Sequence, residues 1–480
     1  MRAFLFAILT IMSSGGHGDG GPQGGFELPG LEALHHWMEK SNAKGGFIVP
    51  GWGLVIFFIL TVLIFAANAP AQNAMNWQWV LMSGPVWMPI VFGRFALMRF
   101  MQMRQSKFNN QNPMIILELR IPREIAKSPQ AMEAVFSQMH INPGEGTWLK
   151  KYWWGRTRPW WSFEIVSIGG TVRFFVATRA SMRPLVETAF YAQYPEIELI
   201  EAVDYSRLRD PSYPPYQMFA CEYEHTKPDP YPIRTYVDYG IDKPGIKPEE
   251  QVDPFAQILE VMGSLKTDEQ LWMQIVFRVA KSEKWRGKKN AKGKPYTWLD
   301  ETKRIVDEIK KNTQSKAVYL DPQTGQLRES AYPDLTDVKK EDVKAIERNA
   351  GKPAFDVGIR SIYSGPANNF RALMPFVAMI FKAFNSERSN GIMPAPHWSE
   401  KFNDYPWEDI GGHRQRHEMH EVVEFFRGRY FFHPPYRGHW MIMSSEELAS
   451  IFHVPSSTVK TPSVPRIQST TAAPPPNLPQ

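Results

Sequence analysis

The chain of 480 residues has one cysteine, Cys221. A single thiol excludes an internal disulfide framework and a zinc site built on cysteine, and it fits a reducing compartment. A phosphate-cradling loop is also missing. Such a loop reads G-x-x-x-x-G-K-[ST], because a glycine-rich backbone wraps the phosphates while a lysine and a hydroxyl complete the site. The nearest approaches are Gly293-Lys294-Pro295 and Gly351-Lys352-Pro353. Both put proline where a hydroxyl should hold magnesium, and neither has a glycine five residues before its own. Nucleotide hydrolysis by this chain is therefore not expected. No Ser-His-Asp or Cys-His arrangement declares itself. Paired acids such as Glu249-Glu250 and Glu446-Glu447 read as exposed helix starts.

Charge is absent from Phe47 to Ala67, a run of 21 residues and long enough to span a bilayer. Trp77 to Gly93 is a second apolar run of 17 residues, interrupted by Pro85 and Pro89. Trp52, Trp77 and Trp79 suit interfacial belts, and Arg94, Arg99, Arg104 and Lys107 follow without an acid among them. The expectation is a transmembrane hairpin anchored by these residues, with both ends in the cytoplasm. A single span followed by a re-entrant segment is the other reading.

Hydrophobic residues make up 43% of the chain, enough for real cores, and 16 Trp and 40 Pro are both high. At roughly 150 residues per domain the length allows two to four domains. Met114–Ile121 alternates as a strand, and Ser128-Pro129 opens a helix. Trp160–Ile168 and Thr171–Ala177 read as strands joined by Gly169-Gly170. A helix over Ser181–Gln193 and a strand over Glu196–Val203 follow. This β-α-β-β-α-β order is the ferredoxin-like split βαβ. A looser second copy runs from Gln217 to Phe384, with a charged insertion between its middle strands. The expected class is α+β: the hairpin, two ferredoxin-like domains and a disordered Pro-rich tail. The boundaries read as a flexible tail at 1–45, the hairpin and basic segment at 46–108 and the first domain at 109–205. The second domain spans 206–395 with its insertion at about 281–350. A helical segment at 396–453 and the tail at 454–480 complete the chain.

Ser444 is a good N-cap with Glu447 three residues on, as a capping box needs, and Leu448, Ile451 and Phe452 fall on one helical face. Proline, serine and threonine dominate from Pro455 to Gln480. This junction resembles one in bacterial type IV secretion and conjugative-transfer proteins, where it stands just before a P-loop ATPase. The resemblance extends to Ile121-Pro122-Arg123-Glu124, Phe163-Glu164-Ile165-Val166-Ser167-Ile168-Gly169-Gly170 and Tyr191-Ala192-Gln193-Tyr194-Pro195, over roughly residues 110–480. The motor itself is missing here. The resemblance implies a non-enzymatic subunit at the bacterial inner membrane, its bulk cytoplasmic. It would dock a separate P-loop ATPase, with homo-oligomerisation as a further expectation.

Three stretches could carry chemistry. Lys150, Lys151, Trp153, Trp154, Arg156, Arg158, Trp160 and Trp161 interleave cations with aromatics. Single-strand binders combine the same residues, and so do domains lying on an anionic leaflet. From 94 to 158 there are eleven Lys or Arg against four acids. A polybasic run holds Lys284, Arg286, Lys288, Lys289, Lys292 and Lys294, a pattern that binds phosphate backbones or is simply a solvated loop. The alternative function is therefore a membrane-anchored nucleic-acid-binding protein, with DNA as partner. His413, His417 and His420 share a helical face, but the zincin motif is one residue short, and surface histidines are expected rather than a metal site. No cofactor is expected.

Overall fold

Residues 96–111 hold no β-branched residue, glycine or proline and form helix α1, which ends just before Pro113. The computed structural model describes residues 96–467. Breaks fall at 98, 123–126, 142–146, 148, 213–214, 243–252, 286–287, 321–326, 334, 396–410, 412 and 456–463. The chain divides into two compact units. The smaller takes the chain up to Gln111, with Glu145–Thr157 and Tyr430–Gly438. The larger takes Asn112–Gly144, Arg158–Arg429 and the chain from His439.

Period-two alternation builds the first half of the larger unit. It runs β1 (Met114–Pro122), α2 (Pro129–Met139), β2 (Trp161–Ile168), β3 (Thr171–Arg179), α3 (Arg183–Gln193) and β4 (Glu198–Glu201). Gly169 and Gly170 close the β2-β3 hairpin with φ of 58° and 80°. Only glycine takes both positions freely. The second half starts with β5 (Tyr216–His225), α4 (Phe255–Gly263) and β6 (Gln270–Val279). The insertion then supplies α5 (Trp298–Asn312), the β7-β8 hairpin (Gln314–Leu320 and Leu327–Pro333) and α6 (Asp337–Ala350). Its own small core joins Ile305, Val306 and Ile309 to Val343 and Ile346. β9 (Ala354–Pro366), α7 (Ala367–Ala378) and β10 (Ile392–Pro394) complete the half. Then come α8 (His413–Arg427), β11 (Phe432–His433), β12 (Tyr436–Arg437), β13 (Met441–Ser444), α9 (Ser445–Ile451) and β14 (Arg466–Ile467). The β11-β12 hairpin belongs to the smaller unit.

The strand order is β4-β1-β3-β2-β6-β9-β5-β10, with β13 added to the start of β9. These nine strands are antiparallel, and β14 joins β1 in parallel. One face carries Phe163, Phe174, Ile275, Phe277 and Ile359. It is buried under α2, α3, α4, α7 and α9 in a single core that draws on both halves. The other face packs Trp272, Ile362, Met218 and Phe175 against Val423 and Phe426 of α8. Every residue of β6 is buried, because this central strand is covered on both sides.

Two parts of the expected architecture are corrected. The two halves are not separate ferredoxin-like domains. β2 pairs with β6 along eight residues from Trp161↔Phe277 to Ile168↔Gln270, so the edges that would bound two domains are joined into one sheet. The expected transmembrane hairpin finds no counterpart among the described residues. Among the described residues no helix is long and apolar enough to cross a membrane. Residues 47–93, where the hairpin was expected, lie outside the described residues, as do Trp52, Trp77, Trp79 and Arg94.

Ser444 and Glu447 form the capping box at the start of α9. Glu446 and Glu447 are nevertheless buried rather than exposed. Glu447 accepts the N–H groups of Ser444 at 2.8 Å and Ile233 at 3.0 Å. Glu446 accepts the Thr235 hydroxyl at 2.7 Å and pairs with Arg348 at 3.0 Å.

Candidate nucleic-acid interface

The smaller unit lays one turn along α1. Thr147 starts the turn, its carbonyl accepting the Lys151 N–H at 3.1 Å. The backbone then widens to a π-helix over Leu149–Trp153, closed by Trp154 N–H to Leu149 at 3.2 Å. Gly155 follows with φ of 65°, and a Cβ there would lie 2.4 Å from the Arg104 backbone. Glycine thus allows the turn to touch the helix. Three contacts fix it. Arg104 Nε donates to the Trp153 carbonyl at 2.5 Å, the Trp153 and Phe100 rings lie 5.7 Å apart, and Thr157 Oγ1 donates to Asn109 Oδ1 at 2.7 Å.

This packing gathers Arg99, Arg104 and Lys107 of α1 with Lys150, Lys151 and Arg156 of the turn. Among the described residues of this unit there is no aspartate or glutamate. Trp153 is 56% and Trp154 52% exposed, so two large indole rings stand side by side in solvent. The arrangement offers cations to a phosphate chain and indole faces to bases.

The expected basic-aromatic run divides after Thr157. Arg158, Trp160 and Trp161 belong to the larger unit and are buried there. Arg158 donates to the Val279 carbonyl at 2.8 Å and to Glu283. Trp160 lies beneath the Arg179 guanidinium at 4.7 Å, and Trp161 stacks on Phe277 at 5.7 Å. These three are structural residues.

The polybasic run is also in the larger unit. Lys284 pairs with Asp229 and with the Trp440 carbonyl. Lys288, Lys289, Lys292 and Lys294 lie on a loop pinched by a bridge between Lys289 and Pro295, and Arg286 lies outside the described residues. Gly293-Lys294-Pro295 is the turn of that loop, whereas Lys352 of Gly351-Lys352-Pro353 pairs with Glu133 at 2.5 Å. His417 is 73% exposed beside Glu421, and His420 lies 3.9 Å from Asp210. Among the described residues no three metal-type ligands are grouped.

A buried polar network escaped the sequence reading. Glu164 of β2 is fully buried and accepts from Ser162, Tyr205, Gln274 and Arg429. Gln274 in turn accepts from Arg360. Burial works against the Arg429 cation, but Glu164 and Asp204 outweigh it and hold its pKa well above the usual range. Burial and the same Glu164 push the Tyr205 hydroxyl up. The available signal was a polar residue at alternate positions of apolar strands: Glu164 in β2, Gln274 and Arg278 in β6. These groups bind the sheet to α8, Gln274 and Arg360 donating to its last carbonyls.

The chain belongs to the DUF8128 family. The family, described as a domain of unknown function, matches residues 117–466. The match runs from inside β1 to the first residue of β14, so DUF8128 covers the sheet and its helices, while α1 precedes it. No curated protein matches the sequence. The expectation of a membrane-spanning subunit of a secretion or conjugation apparatus gains no support from these findings. No described helix can cross a bilayer, and the DUF8128 match brings no link to such an apparatus.

Proposed function

We propose that this DUF8128 protein is a non-enzymatic binding protein that holds single-stranded nucleic acid on α1 and the 147–157 turn. One observation carries the proposal. Trp153 and Trp154 stand half-exposed among Lys150, Lys151 and Arg156, in a unit whose described residues include no carboxylate. Cations clustered on one surface attract phosphates and release condensed ions. Exposed indoles stack on any base, which gives affinity without sequence preference.

The test is fluorescence anisotropy of a labelled oligo-dT titrated with the full chain at several salt concentrations. Engagement of three to five phosphates predicts a slope of roughly −2 to −4 in log K against log salt, at about −0.7 per phosphate. Trp153→Ala with Trp154→Ala should weaken binding by about 1–3 kcal/mol per lost stack. Lys150→Glu with Lys151→Glu should flatten the salt slope. Binding that ignores all four substitutions would remove the proposal. Binding to phosphatidylserine vesicles that oligo-dT does not displace would favour a lipid surface instead.

A further inference from the structure

The polybasic run ends in a tight hairpin whose shape is fixed from within. Lys289 pairs across it with Pro295, and the Tyr296 N–H donates to the Lys288 carbonyl at 3.2 Å. Asn290 holds the tip. Its N–H donates to the Lys294 carbonyl and its carbonyl accepts the Gly293 N–H, both at 2.9 Å. Its Oδ1 accepts the N–H groups of Lys292 and Lys294 at 3.1 and 3.0 Å. The Trp285 and Tyr296 rings flank the hairpin and meet edge to face at 5.8 Å.

Three exposed cations stand on this tip. Lys289, Lys292 and Lys294 have no ion pair among the described residues, whereas Lys284 is held by Asp229. The next acids along the chain are engaged. Asp300 serves the α5 capping box with Thr297 and accepts the Asn290 amide at 3.4 Å. Glu301 pairs with Arg304 at 2.7 Å and accepts the Tyr296 hydroxyl at 2.9 Å.

We propose that this hairpin is a second nucleic-acid contact, one that grips the phosphate backbone of a duplex. It goes beyond the reading of α1 and rests on different residues. The chemistry of the tip selects the ligand. A small phosphate site needs converging backbone donors, and here the N–H groups of residues 290, 292, 293 and 294 are turned inward. Carboxylates are met best by the guanidinium fork, and the tip has lysines alone. A single strand gains from stacking, but no aromatic residue lies between Lys288 and Pro295. A duplex keeps its bases inside, and each phosphate contacted releases more condensed ions than on a single strand.

The test is fluorescence anisotropy of a labelled blunt duplex of about 20 base pairs, titrated with the full chain at roughly 50 to 200 mM salt. Lys289→Glu with Lys292→Glu and Lys294→Glu should weaken binding. The slope of log K against log salt should become shallower by roughly 2 to 3, at about 0.9 per phosphate. Asn290→Ala alters no charge but unpins the tip, and should weaken binding several-fold. Trp153→Ala with Trp154→Ala should leave duplex binding in place, because paired bases offer an indole no face. Circular dichroism of every variant should match the parent. Absence of duplex binding, or a slope unchanged in the triple variant, overturns the proposal. So does duplex binding that falls with the tryptophans and not with the lysines, which would belong to α1. A triple variant that loses phosphatidylserine vesicles but keeps the duplex overturns it too, and gives the tip to a lipid surface.

Discussion

Gln274 Nε2 donates to Glu164 Oε1 at 2.8 Å across the seam that joins the two halves of the sheet. The pair sits at the centre of a polar row in an otherwise apolar layer, and its charge is balanced by Arg429 from beyond α8. Arg429 Nε lies 3.0 Å from Glu164, and its backbone is held at φ of 51°.

Arg429→Ala should therefore be among the most damaging single changes. It leaves the fully buried Glu164 carboxylate without its cation, at a cost of about 3–5 kcal/mol. Adding Glu164→Gln should recover part of that loss, because a neutral amide no longer needs the cation. Urea unfolding of the two variants measures both effects. Equal stability of the single and double variants would show that Arg429 acts only through packing.

Acid should weaken the fold through Asp229. Burial would raise its pKa, but Lys284 and His225 outweigh burial and hold it at about 2, against an ordinary 3.8. The unfolded chain then binds the proton first, so stability rises with pH across this window. The contribution, about 2 kcal/mol, is fully present above pH 4 and is lost as pH falls through 2. Lys284→Met should remove most of this dependence, as read from denaturation midpoints between pH 2 and 5.

Gly155→Ala tests the α1 turn without altering any charge. The added Cβ would meet the Arg104 backbone at 2.4 Å and disfavour φ of 65°. The turn must lift from the helix, so oligo-dT binding should fall several-fold while the unfolding midpoint of the larger unit stays in place. Unchanged binding would mean that the turn need not lie on α1.

Cys221 should be silent toward thiol reagents. It lies in the main core at 2% exposure, and burial pushes its thiol up to about 12. Labelling with a chromogenic disulfide should proceed only as fast as the sheet opens and should become immediate in denaturant.

Most elements of the larger unit were legible because their signals are local. The 11 residues of α2 begin at Pro129, where serine and proline mark a helix start. Gly169-Gly170 turns the hairpin, and Ser444 with Glu447 caps α9. The β7-β8 hairpin was missed, since Gln314–Leu320 lacks clean alternation and no glycine pair marks its turn. The binding surface was half legible. Charge and aromatic spacing marked residues 150–161 as a unit, but nothing local tells that Trp153 faces solvent while Trp161 packs on Phe277.

By itself the sequence determined which segments become strands and helices, because caps, turns and apolar periods act within a few residues. It also determined that the region around α1 is basic and aromatic. Only the tertiary structure decided that two βαββαβ paths share one sheet, since the β2-β6 pairing joins residues about 110 apart through backbone groups that every residue carries. It also decided which charges are buried, because Glu164 meets Arg429 across 265 positions of chain and no local pattern encodes that meeting.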